Sequence, residues 1–283
     1  VSAGRTKIKI AGIQIVSTED IERNLQKAFQ FIRHAAEGEA RILCFPQLFF
    51  LPWFLGEEEE DFRSYAISRQ DEILSRMGEA ARQHEVVLVC PFYEKGNGKD
   101  YSSVAVFDRD GTPAGIYQKA HIPDIPGWKE KFYFHPGETG FPVFQTAYGR
   151  IGVQLCWDNF FPEGTRALAL AGAEIVFAPT AAAYASQERW YNVLAANAFV
   201  NNLYIFRVNR IGRDHGLDFY GHSFCVNPYG ELCANPIGMQ ESILLADVDF
   251  SRIPKIREES GFFRDRRNHL YQDLVRTAGM DTR

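Results

Sequence analysis

No apolar run in this 283-residue chain approaches the roughly 20 residues that a membrane-crossing helix needs. The opening VSAGRTKIKIAG also lacks the apolar centre of a secretory signal. The expectation is a cytoplasmic protein with no membrane partner. Neither sign of charge dominates: 31 Lys and Arg stand against 36 Asp and Glu, net -5 and dispersed, which argues against a nucleic-acid-binding surface. There is no CxxC pair, no HExxH, no Walker loop and no GxGxxG. The five cysteines, Cys44, Cys90, Cys156, Cys225 and Cys233, are odd in number and mostly sit in or beside strand-like runs, which reads as reduced thiols. These absences lead to an expectation of no metal and no cofactor.

What is present is a chain 46% hydrophobic, long enough for one large core or two modest ones. Lys7 to Val16 reads as a buried strand. Ser17, Thr18 and Asp20 then offer N-caps to a helix carrying Ile21, Leu25, Ala28, Phe29 and Ile32, ending near Gly38. A strand at Arg41 to Phe45, a helix at Asp71 to His84 and a strand at Val86 to Phe92 follow. Tyr101 to Phe107 and Ala114 to Ile122 are joined at Asp108 to Gly111 as a hairpin. The second half repeats the plan: strand Ile151 to Leu155, helix Pro162 to Ala171, strand Ala173 to Ala178, helix Gln187 to Asn201, strand Leu203 to Asn209. A hairpin from Ser223 to Glu231 closes it. Two such halves suggest an α/β protein built as a four-layer α-β-β-α sandwich. No linker separates them, so residues 1–283 read as a single domain. The charged tail from Ser251 carries Phe262 and Phe263 to dock on a partner subunit or on the body.

Three polar residues follow core strands: Gln47 after RILCFP, Lys119 in IYQKAHIP and Cys156 after IGVQL. Side chains leaving adjacent strands at their carboxyl ends can converge there. Cys156 stands where a strand stops and a helix opened by Pro162 and Glu163 approaches, a setting that favours a thiolate. A buried cysteine ending a core strand fits the same pattern. Lys119 is either an exposed edge residue or a covered cation in need of a carboxylate.

RILCFPQLFFLPWF from Arg41, IYQKAHIPDIPGWKEKFYFHPGETGFPVF from Ile116 and IGVQLCWDNFFPEGTR from Ile151 resemble the three signature blocks of the nitrilase superfamily, the carbon-nitrogen hydrolases. DFYGHSFCVNPYGE from Asp218 resembles a later strand pair of that family. The resemblance implies the α-β-β-α sandwich, a homodimer or higher homo-oligomer, and a Glu, Lys, Cys triad. It places Cys156 as nucleophile, Lys119 as the cation beside the oxyanion, the Trp157 backbone N–H as a second oxyanion donor, and Glu130 as a supporting carboxylate. It implies hydrolysis of a small-molecule amide or N-carbamoyl group through a cysteine thioester. A nitrilase acting on a C≡N group and a catalytically silent binding protein of the same fold are the rivals.

One triad member departs. Where the family has FPEL this chain has FPQL, with Gln47 at the general-base position, and a carboxamide cannot take or return a proton. Three origins fit: an engineered exchange in an active hydrolase, a naturally silent member, or Glu130 acting as replacement base. The block after Cys156 resembles the N-carbamoylputrescine and aliphatic-amide branch. It lacks an arginine that would grip a carboxylate, so a neutral or cationic substrate tail is expected, with Asp158 beside it. Trp53, Phe54, Trp128, Trp157 and Tyr184 are candidates for the pocket wall. His121, on the same strand face as Lys119, is either a substrate contact or a structural histidine.

Overall fold

The computed structural model describes residues 7–183 and 186–275; of the residues named above, Tyr184 and the end of the tail lie outside that set. Strands β1 (Lys7–Gln14), β2 (Ala40–Cys44), β3 (Val87–Glu94), β4 (Tyr101–Phe107) and β5 (Pro113–Gln118) build the first sheet in sequence order. β1, β2 and β3 run parallel, because α1 (Ile21–Glu37) and α2 (Glu72–His84) return the chain between them. Asp20 is the cap that wins for α1, its carboxylate accepting from the Arg23 N–H at 2.9 Å. Asp71 does the same for α2 through the Ile73 N–H at 2.9 Å. Leu25, Ala28 and Ile32 of α1 and Leu74 and Met77 of α2 are buried against Ala11, Ile13, Leu43 and Leu88 on the outer face of the sheet. The two helices thus form one outer layer.

The second sheet has the order β12-β9-β8-β7-β6. Its central strands, β7 (Gly149–Val153), β8 (Ile175–Thr180) and β9 (Tyr204–Asn209), are parallel and joined through α4 (Pro162–Leu170) and α5 (Gln187–Asn201). Short antiparallel strands β6 (Phe144–Thr146) and β12 (Phe224–Val226) flank them. The inner faces of the two sheets share one core, with Ile8, Ile10, Val89 and Val104 meeting Val153, Ile175, Phe206 and Val208. The layers are therefore helix, sheet, sheet, helix, as expected. All five cysteines are free thiols. Among the described residues no helix is long and apolar enough to cross a membrane.

The tidy division into halves is corrected at the end of the chain. β13 (Ser242–Asp249) pairs antiparallel with β1 over its whole length, so the first sheet is finished by the last strand. Its buried residues alternate (Leu244, Ala246, Val248), a period-2 signal that the sequence did carry. A short ribbon, β10 (Ile211–Asp214) with β11 (Leu217–Tyr220), and the single-turn α3 (Glu130–Tyr133) were also not anticipated. Beyond β13, α6 (Ile253–Ser260) buries Ile253 and Ile256. Phe262 meets Phe199 with ring centroids 5.3 Å apart, and Phe263 lies under Arg166 and Arg257, so both phenylalanines dock on the body.

The sheets approach closely at Gly12, where a Cβ would sit 2.7 Å from the Phe206 ring. Gly12→Ala is expected to cost about 1–3 kcal/mol by overpacking. A urea titration should show the midpoint fall with an unchanged slope, and a midpoint equal to that of the native chain would show that the sheets have room to part.

Candidate active site

The loops that leave β2, β5 and β7 meet. The Gln47 N–H bonds the Thr180 carbonyl at the end of β8, and the Tyr117 hydroxyl near the end of β5 donates to Asp158 at 2.6 Å. β5 stops at Gln118, short of the expected Ile122, because the following backbone bonds elsewhere. Gly137 N–H donates to the Lys119 carbonyl, and His121 N–H donates to Asp158 at 2.8 Å.

Lys119 is fully enclosed rather than at an edge, and its ammonium donates to Glu130 Oε2 at 2.5 Å; Glu130 is equally enclosed. Burial alone would lower the lysine pKa, but the charges of Glu130, Cys156 and Asp158 outweigh it and the net shift is upward. Lys119 is therefore an ammonium. The other oxygen of Glu130 accepts from Gln47 Nε2 at 3.3 Å, so one carboxylate holds both side chains. Gln47 is itself buried, and its Oε1 has no partner among the described residues. That orphaned acceptor marks where a donor belongs.

Cys156 opens a single 3₁₀ turn, Cys156–Phe160, which precedes α4 and fills what the sequence suggested was an irregular turn. Its φ of 49° is left-handed, a strained conformation for a residue with a side chain. Asn159 Nδ2 holds it there by donating to the carbonyls of Cys156 and Gln154, each at 2.9 Å. Gln154 in turn donates to the Asp158 carbonyl and accepts from Thr165. Burial raises the thiol pKa; Lys119 pulls it back and Glu130 pushes it up, while the Ala181 N–H and Arg207 favour the thiolate, leaving a net upward shift. Trp157 N–H is among the donors at the start of a helical turn that the turn cannot satisfy itself. Burial also raises the Cys44 and Cys90 thiols, with no cation among the causes, consistent with packing roles.

Asp158 is not placed to meet a ligand. It is fully buried, and its oxygens accept from Tyr117, Leu155 N–H, His121 N–H and the His121 ring, so it ties the β5 loop to the Cys156 turn. His121 lies flat on Phe161 with ring centroids 3.6 Å apart, the geometry of a structural histidine. Trp128 donates to the Ala181 carbonyl at 3.1 Å, pinning the residue whose N–H faces the thiol. Trp53 and Phe54 are fully buried, Trp53 donating to the Gly127 carbonyl, so they back the site rather than line it openly. Trp157 is half-buried and meets Phe160, which meets Trp190 of α5.

Sequence reasoning passed over the end of β9. Arg210 is buried, donates to the carbonyls of Leu48 and Leu51 and pairs with Asp214 at 2.8 Å, fixing the loop that follows Gln47. Burial lowers its pKa to about 10, partly offset by Asp214. Asn209 bonds Thr180 and both backbone groups of Ala182, next to the Ala181 peptide. Arg207 is also buried beneath the site. The signal was available: an arginine and an asparagine within an otherwise apolar strand, and a second arginine directly after it.

The comparisons with known proteins agree with this geometry. The family model described as carbon-nitrogen hydrolase matches residues 9–258. The chain is 38% identical to an N-carbamoylputrescine amidase of Arabidopsis thaliana, covering 97% of each protein. It is 34% identical to a citrullinase of Francisella tularensis, covering 95% of this chain and 98% of that one. A crystal structure of a carbon-nitrogen hydrolase from Helicobacter pylori G27 superposes with a TM-score of 0.92 at 29% identity, over 96% of this chain and 99% of the other. On this match, along nearly the whole chain and in fold, the protein belongs to the carbon-nitrogen hydrolases of the nitrilase superfamily.

Proposed function

We propose that the chain cleaves the ureido group of N-carbamoyl amines, and that the form with Gln47 turns over slowly. N-carbamoylputrescine and citrulline, named in the two relatives, share a monosubstituted urea, R–NH–CO–NH2. The observation that carries the reading is the buried chain Gln47–Glu130–Lys119, which reaches Cys156 through the charges of Lys119 and Glu130. In this reading the Cys156 thiolate attacks the carbamoyl carbon, and the oxyanion forms between the Lys119 ammonium and the Trp157 N–H. The C–N bond to the amine breaks, and the thiol proton leaves on that amine. The carbamoyl thioester then takes up water, restoring the thiol and releasing carbamate. Gln47 Oε1, buried and without a partner among the described residues, is the acceptor for the terminal NH2 of the urea.

What Gln47 cannot do is carry the proton between sulfur, amine and water. Glu130 is the carboxylate in contact with it, yet Lys119 already occupies one of its oxygens and Gln47 the other. Loss of a positioned base typically costs on the order of 10² to 10⁴ in rate. A silent binding protein is the second reading, favoured by the same substitution. Exposed Leu170 and Val200 on α4 and α5 support pairing with a second copy of the chain.

Two measurements test this. Gln47→Glu should raise turnover of ureido substrates, assayed by amine release on citrulline, N-carbamoylputrescine and simple amides, by a hundredfold or more; an unchanged rate rejects the assignment of position 47. In the native chain the raised thiol pKa means that thiolate is scarce at neutral pH. Alkylation of Cys156 by iodoacetamide, followed by intact mass with Cys156→Ala as blank, should climb only above the ordinary thiol value of about 8.5. A half-maximal rate below pH 8 contradicts the electrostatics described here.

A further inference from the structure

Two of the five thiols meet at the edge of the second sheet, outside the candidate active site. After the edge strand β12 the chain turns at residues 227–230 and folds back along it. Asn227 N–H donates to the Glu231 carbonyl and Cys233 N–H to the Cys225 carbonyl, each at 2.8 Å, on either side of the bridge between Val226 and Leu232. That pattern sets Cys225 directly opposite Cys233 in the hydrogen-bonded register, with both side chains on one face of the ribbon. Both pack against the core between the sheets. In such a pair the Cα atoms lie about 5.5 Å apart, inside the span of about 4.4 to 6.8 Å that a disulfide bridges.

The two thiols are not alike. Cys225 is fully buried, whereas Cys233 is partly exposed. A hydrogen bond from the Cys225 thiol holds the Cys233 thiol below its ordinary pKa, against the effect of burial. Cys225 is pushed well up, by burial first and then by the same bond. Burial also pushes up Cys44, Cys90 and Cys156. The thiolate is the form that reacts with an oxidant, and a second thiol within reach converts the first oxidation product into a disulfide. The partly exposed member of the pair therefore starts the reaction, and the enclosed member stands where a resolving thiol must stand.

We infer that Cys225 and Cys233 are a redox modification site, at which hydrogen peroxide converts the pair into a reversible disulfide. The Cys233 sulfur attacks one peroxide oxygen, the O–O bond breaks, and the departing hydroxide takes up the proton that Cys233 released and leaves as water. The Cys225 sulfur then attacks the Cys233 sulfenic acid, the S–O bond breaks, and a second water leaves with the Cys225 proton. Two thiols and one peroxide thus give one disulfide and two waters, the sulfurs losing the two electrons that the peroxide gains. The bond fastens the origin of residues 234–241, which cross from the second sheet to the first. That crossing is otherwise held by hydrogen bonds, from Ile237 N–H to the Ser223 carbonyl at 3.3 Å and from Gln14 Nε2 to the carbonyls of Gly238 and Gln240 at 2.7 and 2.8 Å. The hydrogen-bonded register keeps the Cβ atoms wider than the about 3.8 Å of a relaxed disulfide, so the bond is readily reduced again. The inference is independent of the ureido reading.

The test treats the native chain with hydrogen peroxide, labels the remaining thiols with N-ethylmaleimide in denaturant, and reads intact mass and a digest cut after Glu231. Three of the five thiols should be labelled, Cys156 among them, with the peptides of Cys225 and Cys233 joined; dithiothreitol before labelling should restore all five. In Cys225→Ser the joined peptide should vanish and dimedone, present during oxidation, should trap Cys233 as its sulfenic acid. In Cys233→Ser, a change at the partly exposed position, Cys225 should lose its thiol at least tenfold more slowly than in the native chain. Unfolding temperatures show that both variants are folded. Five labelled thiols at a peroxide dose that consumes free cysteine, a bond joining two chains or another pair, or Cys233 running on to the sulfinic acid in the native chain overturns the inference. Dimedone found on Cys225 in Cys233→Ser, with none on Cys233 in Cys225→Ser, overturns it as well.

Discussion

The enclosed ion pair of Lys119 and Glu130 is the constraint on which the site depends. Removing both charges from water costs several kcal/mol per ion, and their attraction repays this only while the geometry holds. The end of β5 and the first residue of α3 are therefore fixed relative to each other, and each remaining polar atom of the pair must be occupied. Gln47 does that for the second oxygen of Glu130. A glutamate in its place would lose that hydrogen bond and set a second carboxylate against Glu130, so the amide spares the enclosed site a like-charge repulsion.

The second dependency is the turn that presents sulfur. A left-handed residue bearing a side chain costs about 1–3 kcal/mol and persists only where the surroundings over-determine it. Here Asn159, Gln154 and Thr165 fix the peptide on one side, and Asp158 ties the turn to β5 on the other. Asp158 thus links the sulfur to the lysine mechanically, through Tyr117 and His121, without touching either reacting group.

Much of this architecture is legible in the order of the residues. Apolar periodicity marks both outer helices of the first sheet, with Asp20 and Asp71 as caps, and α5 with the observed bounds. Gln47, Lys119 and Cys156 stand out because each follows a core strand. The roles of Asp158 and His121 are not legible, since a carboxylate bonded to four donors and one facing solvent look alike in sequence. Trp53 reads as a pocket aromatic for the same reason, its burial being set by the unanticipated β10–β11 ribbon; Phe219 of that ribbon packs on it. Arg207 and Arg210 stand three positions apart at the end of a strand-like run, but only packing shows that Arg210 has an acid against it and that Arg207, among the described residues, does not.

The pairing of β1 with β13 bears on how the molecule comes into being. Residues 7 to 14 find their antiparallel neighbour only at residues 242 to 249, more than two hundred positions later. Until that neighbour leaves the ribosome, β1 keeps an open edge able to pair with any other extended chain. The lysine cluster on β1, Lys7 and Lys9, lies at the beginning of that edge and discourages such pairing. A nascent chain therefore carries this sheet unfinished for more than two hundred residues of synthesis, and strand-capturing chaperones have their opportunity there.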